Sequence, residues 1–167
     1  MSELQEPNNW FNKAFRLLKP SRTIPITPWR AESTWSLGSG NHKLQRMFFL
    51  IFGLTLFGIG EAFLVVTGLG NSPWVVLSEG ISLNSNFSIG QSTFLVSVAV
   101  LAFWIPLKQM PGFGTVANIV VIAASLELGL FIIPEVSNLF AKYFYVLIGI
   151  GLVGVGSALY ITCGLGT

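Results

Sequence analysis

Two carboxyl side chains interrupt long apolar runs in this sequence, Glu61 within residues 47–67 and Glu127 within 112–134. Ionisable groups inside membrane-length segments are expensive to place and mark proton or ion pathways by default. Glu61 is therefore read as a proton or cation carrier; the structural alternative is a neutral Glu bonded to a neighbouring backbone group. Glu127 lies at a similar depth. On a helix it points nearly opposite to Asn118 and Ser125, so it meets another helix or another subunit. A third cluster follows the first run, Gly68-Leu69-Gly70-Asn71-Ser72-Pro73-Trp74. Gly68 suits a helix C-cap at positive φ. Asn71 or Ser72 can then cap a new short helix with Pro73 at its first position. A helix broken there offers free N–H groups to an anionic or carbonyl group. The alternative is a structural elbow with Trp74 anchored at the membrane interface. Glu79, about a turn and a half beyond Pro73, binds a coupling cation or faces solvent. The binding candidates are thus Glu61, Asn71, Ser72, Trp74, Glu79, Asn118 and Glu127.

Enzyme chemistry finds no support. The chain has one His (His42), one Cys (Cys163) and no Asp. It carries no His-Glu-x-x-His, Gly-x-Ser-x-Gly, Walker A or GxGxxG pattern, so a metal site, a Ser-His-Asp triad and a nucleotide cofactor are not expected. Cys163 has no second Cys to pair with.

The elements that must position these residues follow from composition. Of 167 residues, 52 % are apolar and only 10 % are charged. An ordinary soluble domain carries roughly 25 % charge, and a disordered chain needs low hydrophobicity. Both classes are excluded, leaving an all-α polytopic membrane bundle. Four spans are predicted, at about 47–67, 91–107, 112–134 and 144–162, each near the ~20 residues that cross a bilayer. A broken outer element occupies 68–90. Thirteen Leu, Ile, Phe and Val residues in 47–66 contribute about −6 kcal/mol to insertion, against about +3 for the central Glu61. The first span inserts despite its charge.

Residues 1–45 form a polar, Pro-containing arm ahead of the transmembrane domain at 46–167. Seven of the nine basic residues lie before the first apolar run, six in the arm and Arg46 directly after it, which orients the arm to the cytoplasm. Its sparse, Glu-interrupted charge does not suit nucleic acid. Trp10, Phe11, Ala14, Phe15 and Leu18 recur at helical spacing and suggest a short interfacial helix; a mostly disordered tail is the alternative. No cleavable signal is evident.

Residues 53–71 and 149–167 align without a gap, with eight of nineteen positions identical. The matches include Gly53/Gly149, Gly58/Gly154, Gly60/Gly156, Ala62/Ala158 and the closing Gly-Leu-Gly. Small residues at such spacing let helices approach closely, so Gly53, Gly58, Gly60, Ala62, Gly154, Gly156 and Ala158 are read as packing positions. The second copy has Ser157 where the first has Glu61. Three predicted spans separate the two starts, so the copies run in opposite directions. That is an inverted-topology repeat of the kind found in secondary transporters. On this logic two further helices would be expected after Thr167.

The Gly68–Trp74 block, Ser78-Glu79-Gly80, Gly112-Phe113-Gly114-Thr115 with Asn118, and Gly164-Leu165-Gly166 together resemble the YczE/YyaS/YitT family of bacterial integral membrane proteins. The resemblance covers roughly 47–167 and implies a polytopic membrane protein with transport as its expected role. It also implies a second Pro-containing block after Gly166, which this chain lacks, and often a polar residue where this chain has Val75.

The expected function is a multi-pass inner-membrane secondary transporter or permease-like unit. Its partners would be the lipid bilayer and a small solute or ion, with a homo-oligomer or companion chain conceivable. The alternatives are a non-transporting membrane helper or a fragment that needs a partner chain.

Overall fold

The computed structural model describes residues 42–108 and 110–165. Residues 1–41 of the arm with its expected interfacial helix, and Gly166 and Thr167, lie outside the described residues, while the end of the arm from Lys43 is already helical. Five helices follow in order: α1 Lys43–Thr67, α2 Pro73–Leu83, α3 Ile89–Trp104, α4 Phe113–Ile132 and α5 Leu139–Thr162. No strand occurs among the described residues.

Local chemistry sets these bounds. Lys43, Gln45 and Arg46 add a polar turn to α1 ahead of its apolar run. Gly68 ends α1 at φ 62°, its N–H donating to Val65 O at 3.1 Å. Pro73 opens α2 at a position where no N–H is needed. A reciprocal capping box starts α3: Ser88 Oγ accepts from Gln91 N, and Ser88 N donates to Gln91 Oε1, both at 3.1 Å. The sequence places this helix at 91–107; it ends earlier because Pro106 has no N–H to continue the ladder. Asn138 Oδ1 accepts from Phe140 N at 3.0 Å and starts α5 well before the predicted residue 144.

α1, α4 and α5 are long and apolar enough to cross a bilayer. α3 is apolar but has 16 residues, about 24 Å of helix. α1 is the hub. It packs most heavily on α5 and next on α4, while α3 lies against α4 and α2.

Backbone meets backbone at the α1–α5 contact. A Cβ added at Gly53 would come within 2.8 Å of Gly156 O, and one at Gly60 within 2.8 Å of Gly149 O. The residue order of these pairs makes the two helices antiparallel. On its other flank α1 approaches α4 as closely. A Cβ at Gly58 would lie 2.7 Å from Ser125 Cβ, and one at Gly129 would lie 2.6 Å from Ala62 Cβ. Here the order makes the helices parallel.

Two small cores result. One gathers Leu50, Leu54, Cys163 and Leu165, the other Ala62, Val75 and Leu126. Elsewhere large apolar side chains point outward, among them Phe103 (69 % exposed), Phe131 (89 %) and Phe140 (85 %). Such a surface suits hydrocarbon, where backbone groups are satisfied within helices and apolar side chains need no cover.

Candidate functional site

Glu61 sits on the face of α1 between its contacts with α4 and the elbow. It is 2 % exposed, and its Oε2 has no hydrogen-bond partner. The Gly68–Ser72 elbow turns the chain back so that Ser72 lies against this carboxyl. Glu61 and Ser72 border a cavity of about 490 Å³. Trp74 and Val75 of α2, Thr93 and Ser97 of α3, and Asn118, Ile119, Ile122 and Leu126 of α4 complete its walls with Phe57 of α1. Leu126 and Val75 belong to the second core and Ile122 borders the first, so the cavity lies where the two cores part.

Four of the seven sequence candidates, Glu61, Ser72, Trp74 and Asn118, therefore meet at one cavity. Asn71 and Glu79 pair with each other beside it, Asn71 Nδ2 donating to Glu79 Oε2 at 2.8 Å. Their bond ties the elbow to α2. Asn71 Oδ1 is buried without a partner. Glu127 lies away from the cavity. It is exposed, and its Oε2 accepts from Gly90 N at 2.9 Å. A carboxylate there meets the free N–H groups and positive dipole end of α3. Gly90 is required by this approach, since an added Cβ would come within 2.6 Å of that oxygen.

Thr93 and Ser97 were not singled out from the sequence. Their signal was present: two hydroxyl residues four apart in an apolar helix share a face. Both hydroxyl protons go to backbone carbonyls one turn earlier, Thr93 to Ile89 O and Ser97 to Thr93 O, each at 2.8 Å. Their lone pairs remain available. Ser92 Oγ and Thr115 Oγ1 are buried without partners nearby in the same helices.

Chemically, the cavity offers one carboxyl, several neutral oxygen acceptors, one amide and aromatic walls. Among the described residues no Lys, Arg or His lines it. Among the described residues no group of His, Cys, Asp or Glu side chains could hold a metal ion.

Residues 44–167 match the Family of unknown function (DUF6198). The chain belongs to that family. An uncharacterized protein of Haemophilus influenzae is 45 % identical over 148 residues, which is 89 % of this chain and 66 % of the relative. The uncharacterized membrane protein YczE of Bacillus subtilis is 26 % identical over 121 residues, 72 % of this chain and 54 % of the relative. The chain thus spans less than two thirds of each. No solved structure matches it significantly. The relation to YczE bears out the family resemblance read from the glycine-rich motifs. With the three membrane-length apolar helices found among the described residues, it makes the chain an integral membrane protein.

Proposed function

We propose that the chain is a small-solute secondary transporter or permease-like unit of the bacterial inner membrane, with Glu61 as its proton or cation carrier. One observation carries this reading: the buried Glu61 carboxyl, one oxygen of which has no hydrogen-bond partner, belongs to a residue lining a cavity of about 490 Å³. Buried polar atoms kept only for structure are nearly always hydrogen-bonded. A carboxyl beside a cavity with an acceptor left unclaimed is what a group that takes up and releases a cation needs.

An inverted repeat supports the same reading. Gly53 faces Gly156 and Gly60 faces Gly149. Gly149 is the repeat counterpart of Gly53, and Gly156 of Gly60. Exchanging the two copies turns each contact into the other, the signature of a two-fold axis between them. The elbows match too: Gly68 and Gly164 have φ 62° and 66°, and each N–H donates at 3.1 Å to the carbonyl three residues back. In this arrangement α3 is a fourth, short span and the arm is cytoplasmic. Cysteines at Ser85 and Ser137 in a Cys163→Ala background should then react with an impermeant thiol reagent from outside, and one at Lys108 from inside.

The transport reading is tested in proteoliposomes holding a pH-sensitive dye and exposed to a panel of small cationic, neutral and anionic solutes. At least one solute should drive proton or cation flux, and Glu61→Gln should remove it. Flux unchanged in Glu61→Gln across pH and ion gradients overturns the carrier role.

A membrane helper acting with a partner helix is the second reading, favoured by one observation. Nothing lies within 4 Å of a Cβ added at Gly154, and Ala158 is exposed. Their counterparts Gly58 and Ala62 are covered by α4. Intermolecular crosslinking of a Gly154→Cys variant in membranes, with transport absent, would favour this reading.

A further inference from the structure

We infer that the solute taken by the Glu61 cavity is a small organic ammonium ion, its charge held on the Glu61 carboxylate in competition with the proton. This rests on the reading of Glu61 as carrier and names what it carries.

Charge is the first argument. Among the described residues lining the cavity, Glu61 is the only ionisable one. The start of α2 adds at most about half a positive charge, too little to offset a full carboxylate beside it. An anion would meet net repulsion, and a neutral solute would leave the carboxylate uncompensated.

Hydrogen bonding points the same way. Thr93 and Ser97 spend their hydroxyl protons on backbone carbonyls. Neither hydroxyl has a proton left to donate, so each can only accept from a ligand. With the Glu61 carboxyl also on the lining, the site favours a ligand that brings N–H donors or positive charge.

Size and lining exclude a bare metal cation. Such an ion needs a close shell of oxygen ligands, whereas this cavity holds about 490 Å³, within the range of small-molecule sites. Phe57 and Trp74 are aromatic residues of the lining, a side-chain type that attracts cations. Ile119, Ile122 and Leu126 offer an apolar surface for the rest of the molecule.

Competition with the proton follows because no other titratable group faces Glu61 from the surrounding helices. α3 has none. Glu79 of α2 is turned to Asn71, and Glu127 of α4 to Gly90. On α5, Tyr145 meets the ring of Phe63 and Tyr160 that of Phe57. Lys43 and Arg46 lie at the start of α1, and Lys142 and Tyr143 at the start of α5; none lines the cavity.

The test is calorimetric titration of the purified full chain in lipid nanodiscs with benzyltrimethylammonium, whose charge does not vary with pH. Saturable binding is expected. Where Glu61 is protonated, each cation bound should release one proton, and affinity should fall about tenfold for each unit by which the pH is lowered. Glu61→Gln should weaken binding at least about tenfold and abolish proton release. Ser97→Phe, which fills the cavity and leaves the carboxyl in place, should also lose binding while eluting as wild type in size-exclusion chromatography. Benzoate binding as well as the ammonium, or Glu61→Gln binding it unchanged, overturns the inference. Proteoliposomes separate this from the transport reading. Binding without uptake sinks transport and leaves the ammonium site, whereas Glu61-dependent uptake confined to anionic or neutral solutes keeps transport and sinks the ammonium.

Discussion

The two glycine-rich helices, α1 and α5, carry matching small residues in different surroundings. In α1 the stripe is covered twice, by α5 at Gly53 and Gly60 and by α4 at Gly58 and Ala62. In α5 it is covered once: Gly149 and Gly156 meet α1, while Gly154 faces open space. Accordingly 39 % of the apolar stretch of α1 is buried, against 11 % for α5. The chemical difference between the copies coincides with this one. Glu61 occurs where the helix is enclosed on both flanks and Ser157 where it is enclosed on one. A carboxyl facing lipid would be costly, so it belongs where protein surrounds it. The glycines common to both copies build the helix contact. What is unique to α1 builds the cavity.

The largest effect that could break this comparison is functional. Glu61→Gln should lower solute-driven flux at least about tenfold, a loss of about 1.4 kcal/mol or more, whereas Ser157→Ala should leave it within about twofold. Moving the carboxyl, by combining Glu61→Ser with Ser157→Glu, should not restore flux, because Ser157 does not border the cavity. Restored flux would mean that the two copies are interchangeable.

Next in size is a stability contrast within one stripe. Gly60→Ala and Gly156→Ala place a methyl group within 2.8 Å and 2.6 Å of a facing backbone oxygen. Backbone cannot swing aside, so each should destabilise by about 1–3 kcal/mol. Gly154→Ala meets nothing and should stabilise by up to about 1 kcal/mol through helix propensity. Thermal unfolding in detergent, followed by size-exclusion chromatography of the heated sample, reads the sign directly. If Gly154→Ala costs as much as Gly60→Ala, the face of α5 is covered after all.

Much of this arrangement was legible in the sequence because it rests on local chemistry. Gly68 as a left-handed cap, Pro73 at the start of α2 and the close approach at Gly53 and Gly60 follow from residue type and spacing alone. The extent of α3 did not, although Pro106 and the Ser88–Gln91 box were there to read. Hydropathy carried the predicted span past a residue that cannot donate to the helix ladder. The cavity was half legible. Glu61, Ser72 and Trp74 announce themselves as a charge and a broken helix, and Asn118 as an amide in an apolar run. Thr93 and Ser97 resemble ordinary helix hydroxyls bonded one turn back, and only the packing of α3 on α4 brings them to Glu61. Glu127 shows the converse. Its sequence setting resembles that of Glu61, yet its oxygen is spent on the amide of Gly90. A carboxyl in an apolar run is a site only if nothing else has claimed it, and long-range packing decides that.

The smallest expected effect concerns the two elbows, where the copies are most alike. Gly68 and Gly164 share a left-handed backbone that costs an L-residue about 1–2 kcal/mol, so alanine at either should be destabilising. Their surroundings differ. Nothing lies within 4 Å of a Cβ at Gly68, and Leu69 is 48 % exposed, whereas Leu165 is 1 % exposed and its carbonyl accepts from Gly114 N at 2.9 Å. The first elbow can relax and the second is pinned to the start of α4. Gly68→Ala should therefore lower the unfolding temperature less than Gly164→Ala, and asparagine, which tolerates this backbone better, should cost less than alanine at both. A larger loss at Gly68 would mean that the elbow beside Glu61 is held more tightly than its open surroundings suggest. The cavity would then owe its shape to that turn rather than to α4.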